Sequence, residues 1–579
     1  MAVLGSFFML LCKVFRFFLY LCTMIPSYLI AAPMSSSGKM MVTRGLMALF
    51  VSKGYLNKKN MKRLKHLHVA AMMPMMMLAA IITLCGATNT SAQTIDDTLY
   101  VVPKQMPDAG FFLPVPPDSA SARFLDDIAQ WQWGKTVAST ERGARASHES
   151  QQSTDALASI MAQVLELDTI NAEETPAIYR LLAKSYVTGI SSAIRPKLKY
   201  MRKRPFEVMN ETAWGQYDNP EAMLGDGSYP SGHTACGWAT ALAMAEMWPA
   251  LQDTILRRGF EFGENRIIVN AHWQSDVTAG YLCSAAAIAR AHYEPEFEQD
   301  VRAARAEYAL LKGLPEDYDP AAEADVPHGE RFLNAPVDTV SNRYMADLLL
   351  YWNNKPIRDT ERGDTASVEA EYSVAMMQKV MGEAIGITIS DEQTPAITSL
   401  LSYVLNKASE TADRLKPIRF RKRPFVQLGE PSAVAGDEEI ERGKSSFPSG
   451  HTNLGWTEAL VMTEVAPDHQ DEILRRGYEY GHNRLIVGYH WYTDIEASRQ
   501  LASALVARLH ADAAFLDLVA AARAEYASIS TGIKEIDDAP INDLQLDSDT
   551  WSDLQGRMLN GKPTRAGVYI NNGVKTVIK

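Results

Sequence analysis

Lys197-x6-Arg204-Pro205, Pro230-Ser231-Gly232-His233 and Arg266-x5-His272-x3-Asp276 return, in the same order, as Lys416-x6-Arg423-Pro424, Pro448-Ser449-Gly450-His451 and Arg484-x5-His490-x3-Asp494. The second set follows the first by about 218 positions, and six charged or imidazole residues recur in it at matched spacing. Chance does not produce such a set twice, so the chain reads as a tandem duplication.

The match extends outward from these motifs. Asp127…Trp133-Gly134-Lys135…Thr140-Glu141-Arg142-Gly143 corresponds to Asp347…Asn353-Asn354-Lys355…Thr360-Glu361-Arg362-Gly363. Thr175-Pro176-Ala177-Ile178 corresponds to Thr394-Pro395-Ala396-Ile397, and Ala303–Tyr308 to Ala521–Tyr526. Single-residue indels separate these blocks, as loops allow. Ala-rich runs such as Thr240–Met247 and Ala285–Arg290 favour helix. Thr175-Pro176 and Thr394-Pro395 have the form of an N-cap with Pro at the first helical position. Alternating β-branched segments are nearly absent. The expected fold is all-α, with two tandem helical-bundle domains over 121–312 and 341–530. Residues 93–120 form a lead-in, and the Pro-, Asp- and Glu-rich stretch 313–340 is expected to be a linker.

The ends read differently. No Asp or Glu precedes Asp96, whereas ten Lys and Arg do. That leaves 47 basic against 69 acidic residues for the rest of the chain, about −22. So acidic a body argues against a nucleic-acid partner, which needs a basic face. Met61-Lys62-Arg63-Leu64-Lys65, the apolar run Val69–Leu84 and Thr90-Ser91-Ala92 together read as a secretory signal peptide over 61–92, within a targeting or upstream segment 1–92. A periplasmic, secreted or cell-surface protein is the consequence. The alternative is a membrane anchor at 4–32, interrupted by Lys13 and Arg16. No apolar run of spanning length follows Ala92. Cys236 and Cys283, the two cysteines beyond the signal, fall opposite Leu454 and Leu501, which favours two buried thiols over a disulfide. In the tail 531–579, Val568–Ile570, Asn572-Gly573 and Val574–Ile578 give a β-hairpin signal. This ending resembles the C-terminal sorting tails of secreted proteins that use the type IX route. An inert hairpin is the alternative.

The motif chemistry points to a phosphate monoester, which carries about two negative charges and needs several fixed donors. Lys197, Arg204 and Arg266 supply cations in the first copy, and Lys416, Arg423 and Arg484 in the second. Ser231 and Ser449 add hydroxyls, while Gly232 and Gly450 let backbone N–H groups approach the ligand. A helix beginning there would add its dipole. His272 stands four residues before Asp276, and His490 before Asp494, a spacing that on a helix puts carboxylate and imidazole on one face. The carboxylate would then fix the tautomer and leave the other nitrogen to attack phosphorus. His233 and His451 are placed to protonate the leaving alkoxide and then activate water. Each residue alone has a bland reading as a solvated charge or packed side chain; the duplicated order reverses that preference. No His- or Cys-rich metal spacing is present, so no metal or cofactor is expected. Trp273 and Trp491 read as core anchors.

The pattern is similar to that of the type 2 phosphatidic acid phosphatase superfamily over about residues 120–310 and 340–530. The stretch 263–277 resembles its soluble bacterial branch, the class A nonspecific acid phosphatases. That resemblance implies an all-α fold, a covalent phosphohistidine intermediate, no metal and small phosphomonoester substrates. One departure stands out: the family usually has Ser before the third-motif Arg, and here Asn265 and Asn483 occupy that place. Their amides are expected to donate in its stead. The alternatives are a lipid phosphate or pyrophosphate phosphatase, whose usual relatives embed these motifs among membrane helices, and a vanadate-dependent haloperoxidase. An anion-binding or supporting repeat without catalysis is the structural reading. The two repeats are expected to pack as an internal pseudo-dimer.

Overall fold

The computed structural model describes residues 98–537, apart from 316–317, 322–323, 435 and 437, together with four strands of the tail. The signal-peptide and anchor readings lie outside the described residues. The described residues of both repeats belong to one compact unit.

Fourteen helices carry the architecture. In the first half these are α1 (Ala109–Phe112), α2 (Ala122–Val137), α3 (Pro176–Ser192), α4 (Gly232–Met247), α5 (Gln252–Ile268), α6 (Gln274–Ala291) and α7 (Pro295–Leu311). The second half repeats them as α8 (Gly329–Phe332), α9 (Asn342–Asn354), α10 (Pro395–Ile418), α11 (Gly450–Val465), α12 (Gln470–Ile486), α13 (Tyr492–His510) and α14 (Ala513–Asp537). Local chemistry sets their starts. Ser121, Ser231, Ser341 and Ser449 cap α2, α4, α9 and α11 with side-chain oxygens, and Pro176 and Pro395 open α3 and α10.

Helices α4 and α11 are the hubs of their halves: α4 packs on α3, α5 and α6, and α11 on α10, α12 and α13. Nearly every residue of α4 and α11 is buried, which explains why neither shows an apolar stripe. Close approach requires small residues. A Cβ on Gly237 would fall 2.4 Å from Phe262, and on the equivalent Gly455 2.4 Å from Tyr480. Cys236 and Cys283 are free, buried thiols.

The two halves meet through equivalent elements: α2 on α9, α4 on α13, α6 on α11 and α6 on α13. Where α6 and α13 end, the His292 and His510 rings stack with centroids 3.5 Å apart. Each bonds a buried carboxylate of its own half, Glu246 at 2.8 Å and Glu464 at 2.7 Å.

The stretch 313–340 is not the free linker its composition suggested. Phe332 and Leu333 are buried, and α8 docks on α5, where His328 N donates to Asp253 at 2.9 Å. The lead-in makes the mirror contact: α1 docks on α12, and Asp108 N donates to Asp471 at 2.8 Å. Each half thus lays its leading arm on the other half. The signal was in the sequence, since Phe112-Leu113…Asp118…Ser121…Arg123 returns as Phe332-Leu333…Asp338…Ser341…Arg343, so the repeat begins earlier than residue 121. Apolar anchors hidden among Pro and Asp made the stretch look unstructured. Across this junction Arg343 pairs with Asp126 at 2.7 Å.

In the tail the backbone forms a four-stranded antiparallel sheet, with β1 (Trp551–Ser552), β2 (Met558–Leu559), β3 (Gly567–Asn571) and β4 (Val574–Ile578) in the order β2-β1-β3-β4. Asn571 pairs with Val574, and the Asn572-Gly573 turn expected between them lies outside the described residues. The sheet is larger than the single hairpin expected from sequence.

Candidate active site

The hub helix of each half begins at the Pro-Ser-Gly-His motif. Ser231 is the N-cap of α4, its Oγ accepting from Thr234 N at 3.3 Å and Thr234 Oγ1 at 2.9 Å. Its own O–H is left to donate. Gly232 and His233 lie in the first turn, where N–H groups and the dipole favour an anion. Ser449, Gly450 and His451 repeat this on α11.

The nucleophile candidates sit elsewhere than the spacing suggested. His272 and His490 precede their helices, because α6 begins at Gln274 and α13 at Tyr492. The orienting partner is also different. His272 Nδ1 lies 2.8 Å from the Ser228 carbonyl oxygen but 3.6 Å from Asp276 Oδ2. His490 Nδ1 lies 2.6 Å from the Ser446 carbonyl and 3.9 Å from Asp494. A carbonyl only accepts, so Nδ1 carries the proton and Nε2 presents its lone pair. Arg204 Nη1 approaches His272 Nε2 at 2.9 Å, and Arg423 Nη1 approaches His490 Nε2 at 3.1 Å.

The aspartate instead ties the loop together. Asp276 Oδ2 accepts from Trp273 N at 2.8 Å and Ser228 Oγ at 2.7 Å, fixing the segment whose carbonyl holds His272. Its Oδ1 takes Arg202 at 2.6 Å, and Arg202 also pairs with Asp127 at 2.6 Å. Asp127 in turn accepts from Ser275 N and Oγ. Arg421, Asp347, Asp494 and Thr493 build the same network in the second half. Sequence reasoning missed Arg202, Arg421, Asp127 and Asp347 as supports of the site. The signal available was that Asp127 and Asp347 match across the repeats and both arginines recur two residues before the Arg-Pro arginine. Trp273 and Trp491 are buried and lie under Arg202 and Arg421.

Electrostatics follows from burial among cations. Burial, with Arg204 next, pushes the His272 imidazole well below its usual value; burial and Arg423 do the same to His490. His233 is lowered by burial, Arg266 and His272, and His451 by burial and Arg484. Burial also pulls Lys197 down to about 8 and Arg484 down to about 10. The two aspartates diverge. Burial alone would raise Asp276, but the Arg202 guanidinium, the neighbouring His272 ring and the hydrogen bond from Ser228 Oγ hold it well below the carboxylate range. In Asp494 burial and nearby Asp347 outweigh Arg421, and the carboxyl is pushed up to about 6. The second half lacks the serine bond, since Ser446 Oγ donates to the Lys422 carbonyl instead.

Asn265 and Asn483 do not face the anion site. Asn265 accepts from Arg142 and donates to Glu149 at 2.8 Å, and Asn483 bonds Arg362 and Glu369 in the same way. Both amides are thus engaged in a buried network with an arginine and a glutamate of their own half.

In the second half Lys416, Arg423, Gly450, His451, Arg484 and His490 line an open cavity of 460 Å³, with Tyr372 and Tyr489 on its walls. His451 Nε2 lies 2.8 Å from the Ala370 carbonyl, leaving Nδ1 for an exchangeable proton. Lys416 pairs with exposed Asp413 at 2.8 Å. In the first half Lys197, Arg204 and Arg266 converge around His272 and His233, and His233 Nε2 meets the Ser150 carbonyl at 3.0 Å. Every residue expected at the two sites, the asparagines aside, is therefore brought to one of two equivalent clusters.

Residues 175–298 and 395–515 match the PAP2 superfamily. A non-specific acid phosphatase of Providencia stuartii is 37% identical over 220 residues, 38% of this chain and 88% of the relative. A non-specific acid phosphatase of Salmonella typhimurium is 33% identical over 232 residues, 40% of this chain and 91% of the relative. An acid phosphatase of Zymomonas mobilis is 33% identical over 186 residues, 32% of this chain and 70% of the relative. The chain belongs to the PAP2 superfamily, as an enzyme akin to the bacterial acid phosphatases.

Proposed function

We propose that the chain is a metal-independent acid phosphatase with two active sites, one per repeat, that hydrolyses phosphomonoesters through a phosphohistidine. The observation that carries this reading is the imidazole geometry found twice: Nδ1 anchored on a backbone carbonyl and Nε2 held beside a buried guanidinium. Arg204 and Arg266, or Arg423 and Arg484, would hold the phosphoryl oxygens with Lys197 or Lys416. His272 Nε2, or His490 Nε2, then attacks phosphorus and the ester P–O bond breaks. His233 or His451 gives its proton to the departing alkoxide. The same residue next takes a proton from water, whose oxygen displaces the histidine and releases inorganic phosphate.

The depressed imidazoles support work at acidic pH. His272 and His490 stay neutral and nucleophilic there, whereas His233 and His451 need acid to carry a proton. The domain boundaries we favour place the arms at 107 and 327 with the repeats they precede. Export through the segment 61–92 completes the proposal. The test is hydrolysis of an aryl phosphate by protein beginning at Gln93, with chelator present, for the parent, His272→Ala, His490→Ala and the double variant. Partial activity in each single and none in the double is the expected result. A silent parent, or undiminished activity in the double variant, would defeat the proposal.

A further inference from the structure

The loop between the Arg-Pro and Pro-Ser-Gly-His motifs of repeat one lies on the phosphate site itself. Arg266 Nη2 pairs with Asp218 Oδ1 at 2.6 Å, and both side chains are at least 96% shielded from solvent, at 1% and 4% exposure. Arg204 pairs with Asp226 at 3.0 Å and also bonds the Asp226 carbonyl, while Lys197 donates to the Gly227 carbonyl. All three candidate phosphate cations are thus taken up by residues 218–227.

The carboxylate is delivered by a turn built for it. Trp214 N donates to the Val269 carbonyl, Gln216 N to Ser147 O, and Tyr217 N to Ser150 Oγ, so the loop is stitched to the segment that also supports His233. The turn closes with Asp218 N on Gly215 O. Gly215 is required there, because a Cβ would lie 2.3 Å from Asp218 Oδ2 and 2.6 Å from Ser150 Cβ. The grip on Arg266 is nevertheless incomplete. Asp218 Oδ2 and Arg266 Nε and Nη1 are buried without hydrogen-bond partners. A phosphoryl group, with three oxygens and more charge, would satisfy donors that this end-on carboxylate leaves idle.

Repeat two differs at the same place. Its loop is one residue shorter between the motifs, and although Lys444 stands where repeat one has Asp226, Arg423 still pairs with a carboxylate of that loop, Glu441, at 2.5 Å. Among the described residues Arg484 donates to the Ala366 carbonyl and faces the open cavity; Asp437 of that loop lies outside the described residues.

We propose that Asp218 is a specificity-determining residue of repeat one: its carboxylate occupies the substrate phosphate's place on Arg266 and must be displaced before a phosphomonoester binds. This inference rests on the reading of Arg266 as a phosphate ligand. Site one is therefore selective for phosphate groups that outcompete a tethered carboxylate, and it fills at higher substrate concentration than it would without the loop.

The test is calorimetric titration of inorganic phosphate into the full chain carrying Arg484→Ala, so that repeat two does not contribute. Adding Asp218→Asn should tighten phosphate binding about tenfold or more, the competition energy of a charge-assisted bond. Gly215→Ala, which shifts the carboxylate without removing it, should tighten binding in the same direction. Unchanged or weaker binding in both variants would overturn the proposal, since a carboxylate that merely positions Arg266 would weaken binding when lost. Titration needs no turnover. Tightening in a chain that fails to hydrolyse an aryl phosphate would support the Asp218 assignment while removing catalysis from repeat one.

Discussion

Replacing Arg202 by Met strands two carboxylates that the fold has taken out of water. Asp127 and Asp276 are fully buried, and Arg202 bonds both at 2.6 Å while itself only 9% exposed. Removing one partner of a buried pair costs about 3–5 kcal/mol, because the remaining charge has nothing to answer it. Here two charges remain, although Asp127 keeps Ser275 N and Oγ, and Asp276 keeps Trp273 N and Ser228 Oγ. Those bonds place the cost within that range. In urea, with a slope of about 3 kcal/mol/M, the transition that reports on repeat one should fall by about 1–1.7 M. Trp273, whose ring lies 5.6 Å from the Arg202 guanidinium, provides a fluorescence reporter. The double substitution Arg202→Met with Asp127→Asn should recover part of the loss, because it removes one of the stranded charges. A midpoint shift below about 0.3 M, or additive losses in the double variant, would refute the reasoning.

Other consequences follow from the same structure. His233 and His451 lie well below the usual imidazole value, so the protonated acid accumulates only as pH falls well below about 6.5; kcat/KM should rise from pH 8 to pH 5, and a flat profile would contradict the assignment. Asn265→Ser deprives Arg142 or Glu149 of a buried partner and should cost about 1–3 kcal/mol in a denaturation experiment while leaving KM unchanged. Burial would lower His510, but Glu464 outweighs it and raises the imidazole, so this contribution to stability is full below about pH 6.5 and lost as pH rises through the folded value. Glu464→Gln should therefore flatten the difference in melting temperature between pH 6 and pH 9; an unchanged difference would exclude His510 as its source.

What the sequence exposed, and what it concealed, has a physical pattern. The clusters around His272 and His490 were legible because their residues come from three short segments whose internal spacing the chemistry fixes. The helical class was legible because Ala-rich runs, Ser caps and Pro starts are local. Three features depend on contacts that spacing does not encode. The role of Asp276 turned on a carbonyl 44 residues away, Ser228 O, which claimed His272 Nδ1 first. The asparagines before Arg266 and Arg484 were in view, but their direction depends on Glu149 and Glu369, more than 110 residues distant. The exchange of arms between the halves could not be read locally either, since Phe112 and Phe332 would bury as well on one copy of the same helix as on the other.

The central claim, that each repeat carries its own nucleophilic histidine, is tested most directly by trapping the intermediate. Protein quenched during turnover of an aryl phosphate, with chelator present, is digested under alkaline conditions that preserve phosphohistidine and mapped by mass spectrometry. Phosphate on both His272 and His490, each lost in the matching alanine variant, is the predicted result. Phosphate on neither, or on His233 and His451 instead, would contradict the account.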